Sequence, residues 1–190
     1  MNSKKKKLVI GISGASGAPV AVELLKTLQS KNEIELHLVI TKSAELTLRQ
    51  ECNLDVIDLK QYVQCIHSNE EIGAVIASGS YQTIGMIVVP CSMKTVAGIA
   101  SGYSDNLLLR AADVCLKERR KLILVVRESP LSSIHLKNLY ELSTNGAIIM
   151  PPMLTFYNNP ETVNDCIKYT VERILSHFNL DGTKYVWEGC

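Results

Sequence analysis

The chain has 190 residues, of which 46% are hydrophobic and 21% are charged, and its net charge is +1. This predicts one globular domain (1–190) with a substantial core, and the balanced charge gives no electrostatic reason to expect a nucleic-acid partner. No apolar run is long enough for a membrane span, so no membrane association is expected. We interpret residues 1–6 as a basic leader, not a signal peptide, and residues 180–190 as a C-terminal tail.

The six cysteines are scattered along the chain, without a Cys-x-x-Cys pair and without paired histidines. This pattern argues against a zinc site and against a disulfide framework. We therefore expect no metal in this protein. Reduced thiols are typical of a cytoplasmic protein, and that is the predicted location.

Apolar β-like runs alternate with helical patterns along the whole chain. Strands are predicted at 8–12, 34–40, 85–90, 121–126 and 147–150, and helices at 18–30, 44–51, 96–101, 104–119, 132–145 and 160–178. Residues 52–81 are less regular, with a possible short helix near 56–64 and a loop or short strand at 74–80. The alternation predicts a single-domain, doubly wound (Rossmann-like) α/β fold, with a mostly parallel sheet and helices on both faces.

The first strand ends in a turn of Gly and Ser, from Gly11 to Gly17, and a helix follows at once. Such a turn offers free backbone N–H groups, and the start of a helix adds partial positive charge, so both favour an anion. Ser13 and Ser16 add hydroxyl donors. The glycine spacing matches neither the dinucleotide fingerprint nor the P-loop. We interpret the turn as a phosphate site for one nucleotide, with a ligand-free strand-to-helix turn as the alternative.

Polar residues follow the other predicted strands as well, and the carboxyl ends of parallel strands share one edge, where ligands bind. In the predicted helix 104–119, Arg110 and Lys117 are seven residues apart, which is nearly two turns. They therefore lie on the same face of the helix, about 10 Å from each other. They form either a solvated face, with Asp113 as a salt-bridge partner, or a second anion site together with Arg127. Glu51 and Glu128 are the acid–base candidates.

Several motifs together resemble the UbiX-type flavin prenyltransferases, which are related to the B subunit of phenolic-acid decarboxylases. They are Gly11-Ile-Ser-Gly-Ala-Ser-Gly17, Pro90-Cys-Ser-Met-Lys-Thr95, Arg110-Ala-Ala-Asp-Val114, Leu116-Lys-Glu-Arg-Arg120, Val126-Arg-Glu-Ser-Pro130 and Phe156-Tyr157. The similarity covers nearly the whole chain, from about Lys6 to Gly189.

The resemblance implies a metal-independent transferase that binds FMN. Such enzymes move a dimethylallyl group from dimethylallyl monophosphate to N5 and C6 of reduced FMN, and the product is prenylated FMN. A UbiD-type decarboxylase then receives that product. The family usually assembles as a homododecamer with sites between subunits.

The resemblance also assigns roles to residues by motif. The residues that would hold FMN are Gly14, Ala15, Ser16, Thr41, Ser92, Met93, Lys94, Thr95 and Arg127. Those that would bind the prenyl phosphate are Arg110, Lys117, Arg127, Tyr157 and Arg173. Ser16 would lie near flavin N5, and Glu51 and Glu128 would be the catalytic carboxylates. Lys117 is also assigned to catalysis, and Tyr81 and Trp187 would offer π faces to a developing allyl cation.

Two alternatives remain open on the same fold. One is an FMN-dependent cysteine-type decarboxylase, although the chain has Pro90-Cys-Ser-Met-Lys-Thr95 where those enzymes have Pro-Ala-Ser-Ala-Asn-Thr, and no His between Thr41 and Glu51. The other is a non-catalytic flavin-binding subunit of a phenolic-acid decarboxylase. The cationic residues assigned to a second phosphate argue against it, because storage of a flavin needs no such site.

Overall fold

The computed structural model describes residues 5–180. All the strands in this part of the chain run parallel in one sheet, in the order β3-β2-β1-β4-β5-β6. They are β1 (Lys6–Ile12), β2 (Ile34–Ile40), β3 (Cys65–Ser68), β4 (Gly85–Cys91), β5 (Lys121–Val126) and β6 (Ile148–Ile149). The helices are α1 (Ala18–Gln29), α2 (Lys42–Cys52), α3 (Met93–Ala100), α4 (Leu107–Lys117), α5 (Ser133–Thr144) and α6 (Val163–Ser176).

The helices cover both faces of the sheet. Helices α1, α2 and α6 share one apolar cluster with the side chains of one sheet face, and α3, α4 and α5 share a second cluster with the other face. Because the central strands are covered on both sides, their sequences are apolar throughout instead of alternating. The doubly wound prediction is confirmed.

The structure differs from the predicted elements at two places. Residues 52–81 contain the short edge strand β3 between two 3-10 turns, Val56–Tyr62 and Val75–Ala77. Lys6, assigned to the basic leader, is the first residue of β1, where its N–H donates to Glu33 O over 2.8 Å. Within residues 5–180, no helix has both the length and the apolar character that a membrane crossing requires. The cysteines of this segment, Cys52, Cys65, Cys91, Cys115 and Cys166, are free thiols.

Candidate active site

A cleft of about 1010 Å³ opens at the carboxyl edge of the sheet. It adjoins the point where the strand order reverses, between β1 and β4, which is where doubly wound folds bind ligands. Five of the residues assigned to FMN by motif line it: Gly14, Thr41, Ser92, Lys94 and Thr95. The position of the cleft was therefore predictable from the sequence. The roles that the resemblance assigns to these residues remain proposals.

Three helices, α2, α3 and α4, have their N-cap residues in the lining of this cleft. Thr41 caps α2 by accepting a hydrogen bond from Ala44 N over 3.2 Å, and Ser92 caps α3 by accepting one from Thr95 N over 3.3 Å. The first-turn N–H groups of a helix lack carbonyl partners within the helix, and the aligned peptide dipoles add positive charge there. The cleft is therefore suited to an anionic group such as a phosphate ester.

Gly14 brings the first loop against the start of α2. A Cβ atom placed on Gly14 would lie 2.3 Å from Ser43 Cβ and 3.1 Å from the Ser43 carbonyl carbon. No side chain fits in that space, so glycine is required here for close approach, and not for an unusual backbone angle. Met93 and Ala15, also assigned to FMN, are buried beside the cleft.

Ser13 joins the loops that follow β1 and β4. Its side chain is fully buried; Oγ donates to Pro90 O over 3.0 Å and accepts from Ser92 N over 2.8 Å. The prediction that this hydroxyl donates to a bound anion is wrong, because both of its hydrogen bonds are made within the protein. Ser13 instead fixes the spacing of the two loops beside the cleft.

The start of α1 already binds a carboxylate. Glu51 Oε2 accepts hydrogen bonds from the N–H groups of Gly17 and Ala18, each 2.8 Å long. These are the amides that the sequence analysis assigned to a phosphate, and the anion there is a side chain of the chain itself. Gly17 suits this position because its φ is +120°, a backbone angle that favours glycine.

The environment of Glu51 holds it ionised. Burial raises the pKa of the carboxyl, but hydrogen bonds from Ser16, Gly17 and Ala18 and the charge of Arg127 outweigh it, so the pKa lies below its usual value. A proton acceptor at neutral pH must be ionised, and Glu51 meets that condition.

Arg127 completes this group of residues. Its Nε donates to Ser16 O over 3.4 Å, so Ser16, Glu51 and Arg127 surround the end of the first loop. Glu128, next in the chain, is exposed, and its Oε1 accepts from Ser129 N over 3.1 Å. The structure therefore brings together four residues to which the resemblance gives roles.

Lys117 and Arg110 do not join that group within one protomer. Lys117 is the last residue of α4, directly before β5, and so lies at the amino edge of the sheet, where it pairs with Glu118. Arg110 Nη1 lies 2.7 Å from Asp113 Oδ2, and its Nε donates to Ala77 O. The expectation of one cluster with Arg127 is wrong for the protomer, because a seven-residue helical separation leads away from the carboxyl edge.

Tyr81 also lies at the amino edge, directly before β4. Its hydroxyl is 3.0 Å from His37 Nε2, and the Lys7 ammonium lies 3.6 Å from its ring centroid. Within the protomer the ring is not at the first loop and already contacts the Lys7 ammonium, so its role as a π face for an allyl cation remains a prediction. Trp187, the second predicted π face, lies outside the described residues.

Tyr157 and Arg173 are grouped at α6. The Tyr157 and Tyr169 hydroxyls are hydrogen-bonded, and Arg173 lies one turn beyond Tyr169 on the same helix. Tyr157 is exposed, as is Phe156 beside it. The assignment of Tyr157 and Arg173 to a phosphate remains a prediction.

The cleft also has lining residues that the sequence analysis did not single out. They include His67, Ser68, Asn69, Tyr103 and Asn106. Three of them belong to β3 or its end, a strand of only four residues that gives no clear pattern in the sequence. Asn106 is the N-cap of α4, whereas the sequence predicted that this helix begins at residue 104.

Replacing Ser13 with Ala should destabilise the protein by about 1–3 kcal/mol, because it leaves the partly buried Ser92 N–H without a partner. The Pro90 carbonyl loses the hydroxyl but still accepts from Ser13 N over 3.2 Å. Thermal or urea unfolding measures this change. Ser16→Ala is the matched control from the same loop, since Ser16 is exposed. Equal stability losses in the two variants would contradict the structural role of Ser13.

Comparison with known proteins identifies the family of this chain. The family model described as Flavoprotein matches residues 1–175. A probable UbiX-like flavin prenyltransferase of Sedimentibacter hydroxybenzoicus is 50% identical over 184 residues, which are 96% of this chain and 97% of that protein. The chain belongs to the UbiX-like flavin prenyltransferases. The resemblance seen in the sequence is thereby confirmed.

Two solved structures share the whole fold. One is a dodecameric FMN-dependent UbiX-like decarboxylase from Escherichia coli O157:H7, with 48% identity, a TM-score of 0.93, and coverage of 96% of this chain and 100% of that one. The other is AnUbiX (PadA1) in complex with FMN and dimethylallyl pyrophosphate, with 42% identity, a TM-score of 0.95, and coverage of 98% and 100%. The flavin prenyltransferase fold therefore extends over nearly all of this chain.

Proposed function

We propose that this flavin prenyltransferase transfers a dimethylallyl group from dimethylallyl monophosphate to N5 and C6 of reduced FMN, giving prenylated FMN. The main observation in support of the proposal is that the cleft lies next to the group formed by Ser16, Glu51 and Arg127. A nucleotide-sized cleft with three helix starts adjoins an ionised carboxylate and the guanidinium of Arg127. The neighbour solved with FMN and dimethylallyl pyrophosphate supports FMN and a dimethylallyl phosphate as the donor class.

The residues of the cleft fit FMN. Gly14 lets the first loop pack against the start of α2 at the edge of the cleft, and Thr41, Ser92 and Thr95 supply hydroxyls and helix-start amides that would suit a phosphate. Reduced FMN, when bound, supplies the electron-rich N5 and C6 that receive the dimethylallyl group. Ser16, at the exposed tip of the first loop, is the hydroxyl placed to meet the reacting edge of the flavin.

The charged residues would have separate roles in catalysis. Arg127 would stabilise the negative charge that develops on the leaving phosphate as the allylic C–O bond breaks. Glu51, which is held ionised, is suited to accept a proton from the flavin, and the exposed Glu128 is suited to stabilise the allylic cation or to carry that proton away. The division between the two carboxylates is part of the proposal.

Arg110, Lys117 and Tyr81 would act from a second copy of the chain. In one protomer they lie away from Ser16 and Arg127, so they reach such a site only across a subunit interface. A homododecamer with shared sites provides that interface, and the Escherichia coli neighbour is described as dodecameric. Tyr157 and Arg173 would contribute to the prenyl phosphate from α6. We further propose that the product passes to a UbiD-type decarboxylase.

The test is an anaerobic incubation of the protein with chemically reduced FMN and dimethylallyl monophosphate. The expected result is a flavin whose mass has increased by one C5H8 unit. A parallel sample with the diphosphate tells whether the donor class is broader. Bound FMN of unchanged mass with both donors would contradict prenyl transfer, and it would leave the decarboxylase and flavin-subunit alternatives.

Lys117→Ala and Glu128→Gln should each keep FMN bound but lower the rate of prenyl transfer at least about tenfold, because neither side chain lines the FMN cleft. FMN fluorescence quenching measures binding, and product mass measures turnover. Lys137→Ala is a matched control, since this lysine is exposed on α5 and its ammonium lies 3.8 Å from Glu141. Loss of FMN binding in either variant would contradict the division into two subsites.

A further inference from the structure

A chain of hydrogen-bonded ionisable groups lies beside the cleft, and three of its members, Glu35, His37 and His67, have no role in the function proposed above. His37 is 1% exposed, and its Nδ1 is 2.9 Å from His67 Nε2. On its other side, His37 Nε2 is 3.0 Å from Glu35 Oε1 and 3.0 Å from the Tyr81 hydroxyl. The two imidazole rings are stacked, with centroids 5.2 Å apart.

One end of this chain reaches the cleft. His67 is among its lining residues, next to Ser68 and across from Thr41 and Lys42 at the start of α2. His37 is covered on the same sheet face by the apolar cluster under α4. The chain therefore runs from the cleft, through one buried imidazole, to a carboxylate at the amino edge.

The partners fix where protons sit. An ionised carboxylate only accepts hydrogen bonds, so the contact with Glu35 requires a proton on His37 Nε2. In neutral His37 the Nδ1 is then an acceptor, and His67 must donate to it from Nε2. The Nδ1 of His67 is left with a lone pair, and among the described residues it has no hydrogen-bond partner.

One added proton fits this arrangement without breaking any bond. If it binds His67 Nδ1, the 2.9 Å contact with His37 and the 3.0 Å contact with Glu35 are kept. His67 then becomes a cation whose second N–H is available at the cleft. The carboxylate of Glu71 favours that charge on His67, whereas burial and His37 disfavour it, and Glu35 acts on the neighbouring His37.

We propose that His67 takes up this proton when the phosphate monoester of FMN occupies the cleft, and that His37 and Glu35 are positioning residues that set its tautomer. The proposal rests on FMN binding in the cleft, as argued above. An anion stabilises an imidazolium beside it, so the neutral pair gains a proton on binding. His67 is then a residue that recognises the phosphate by its charge.

The free protein starts from the neutral state. Burial lowers the pKa of His37 despite Glu35, and burial together with His37 lowers the pKa of His67 despite Glu71. Other charged residues line the cleft or lie on α4. Those of the cleft are Lys42, Glu45, Glu70, Lys94 and Asp105, with Lys42 paired to Glu70, and those of α4 are Arg110, Asp113 and Lys117. Cys115 on α4 stays neutral, because burial raises its pKa to about 12.

The test is isothermal titration calorimetry with FMN at about pH 8, in buffers of different ionisation enthalpy. At that pH the phosphate, whose second pKa is about 6, is already a dianion, so any proton taken up goes to the protein. The expected result is uptake of up to about one proton per FMN. Riboflavin, which lacks the phosphate, should bind without comparable uptake.

Two variants complete the test. His67→Gln should bind FMN without proton uptake. Glu35→Gln should shift the pH range of proton uptake to lower pH, because the hydrogen-bonded histidine pair loses its carboxylate. Both side chains are partly exposed, so both variants are expected to fold. FMN binding with no uptake, or unchanged uptake in His67→Gln, would overturn this inference and leave prenyl transfer standing. Failure of the wild type to bind FMN would overturn both.

Discussion

Gly14→Ala should abolish retention of FMN, with a loss of affinity of at least about a hundredfold and a loss of stability of about 1–3 kcal/mol. The new methyl group would lie 2.3 Å from Ser43 Cβ and 3.1 Å from the backbone of the same residue. Backbone cannot rotate aside as a flexible side chain can, so either the first loop or the start of α2 must move. Both border the cleft, and fluorescence titration with FMN measures the result.

Gly73→Ala is the matched control for this substitution. Gly73 lies in the segment between β3 and β4, and a Cβ atom there would meet nothing within 4 Å. FMN affinity and the melting temperature should be unchanged. If Gly14→Ala binds FMN as tightly as Gly73→Ala does, the close approach of loop and helix has no part in forming the flavin site.

Glu51→Ala should eliminate prenyl transfer and lower stability by about 1 kcal/mol. The stability loss follows from the Gly17 and Ala18 amides, which lose the carboxylate that caps α1. The loss of activity follows from the removal of an ionised carboxylate beside Ser16. Product mass after anaerobic incubation measures the first effect, and urea unfolding measures the second.

The pH dependence separates charge from hydrogen bonding at this residue. The pKa of Glu51 is lowered in the folded state, so its ionised form contributes stability above the pKa of the unfolded chain. That contribution is lost as the pH falls through the folded-state pKa. Glu51→Gln keeps an oxygen acceptor but does not titrate, so its difference from wild type should vanish at low pH. A constant difference would contradict the capping role of the charge.

The first loop and the cleft were predictable because parallel topology determines them. Once strands and helices alternate, the carboxyl ends of the strands must share an edge, and Thr41 and Ser92 follow two such ends. Both residues line the cleft, as that argument requires. The Gly-Ser turn was placed correctly for the same reason, although the anion that its amides bind is Glu51.

Glu51 and Lys117 are residues whose positions in the fold could not be predicted from the sequence. Glu51 reaches Gly17 across 34 residues, a contact that depends on how α2 is set against α1. Local periodicity gives no information about that angle. Lys117 illustrates the opposite case, because its seven-residue distance from Arg110 is about 10 Å along α4, enough to carry it towards the amino edge of the sheet. Arg110 and Lys117 share one face of α4, as predicted, but two residues on one helix face do not have to belong to the same site.

The sequence did not indicate that His67 lines the cleft, or that Tyr81 lies at the amino edge of its own protomer, and the reason is different. Both lie in or after the irregular segment 52–81, where 3-10 turns and a four-residue strand leave no hydrophobic period to follow. A motif match alone then placed Tyr81 beside the flavin, whereas its contacts are with His37 and Lys7 at the other edge. Contacts of that kind arise from sheet pairing between distant segments.

The most direct test of the account is a crystal structure of the protein with FMN. We expect the phosphate at the starts of α2 and α3, beside Thr41 and Ser92, and the flavin ring along Gly14 and Ala15 with its N5 facing Ser16. Glu51 and Arg127 should remain in contact with the first loop. A flavin bound away from that loop, or with N5 turned from Ser16, would contradict the account.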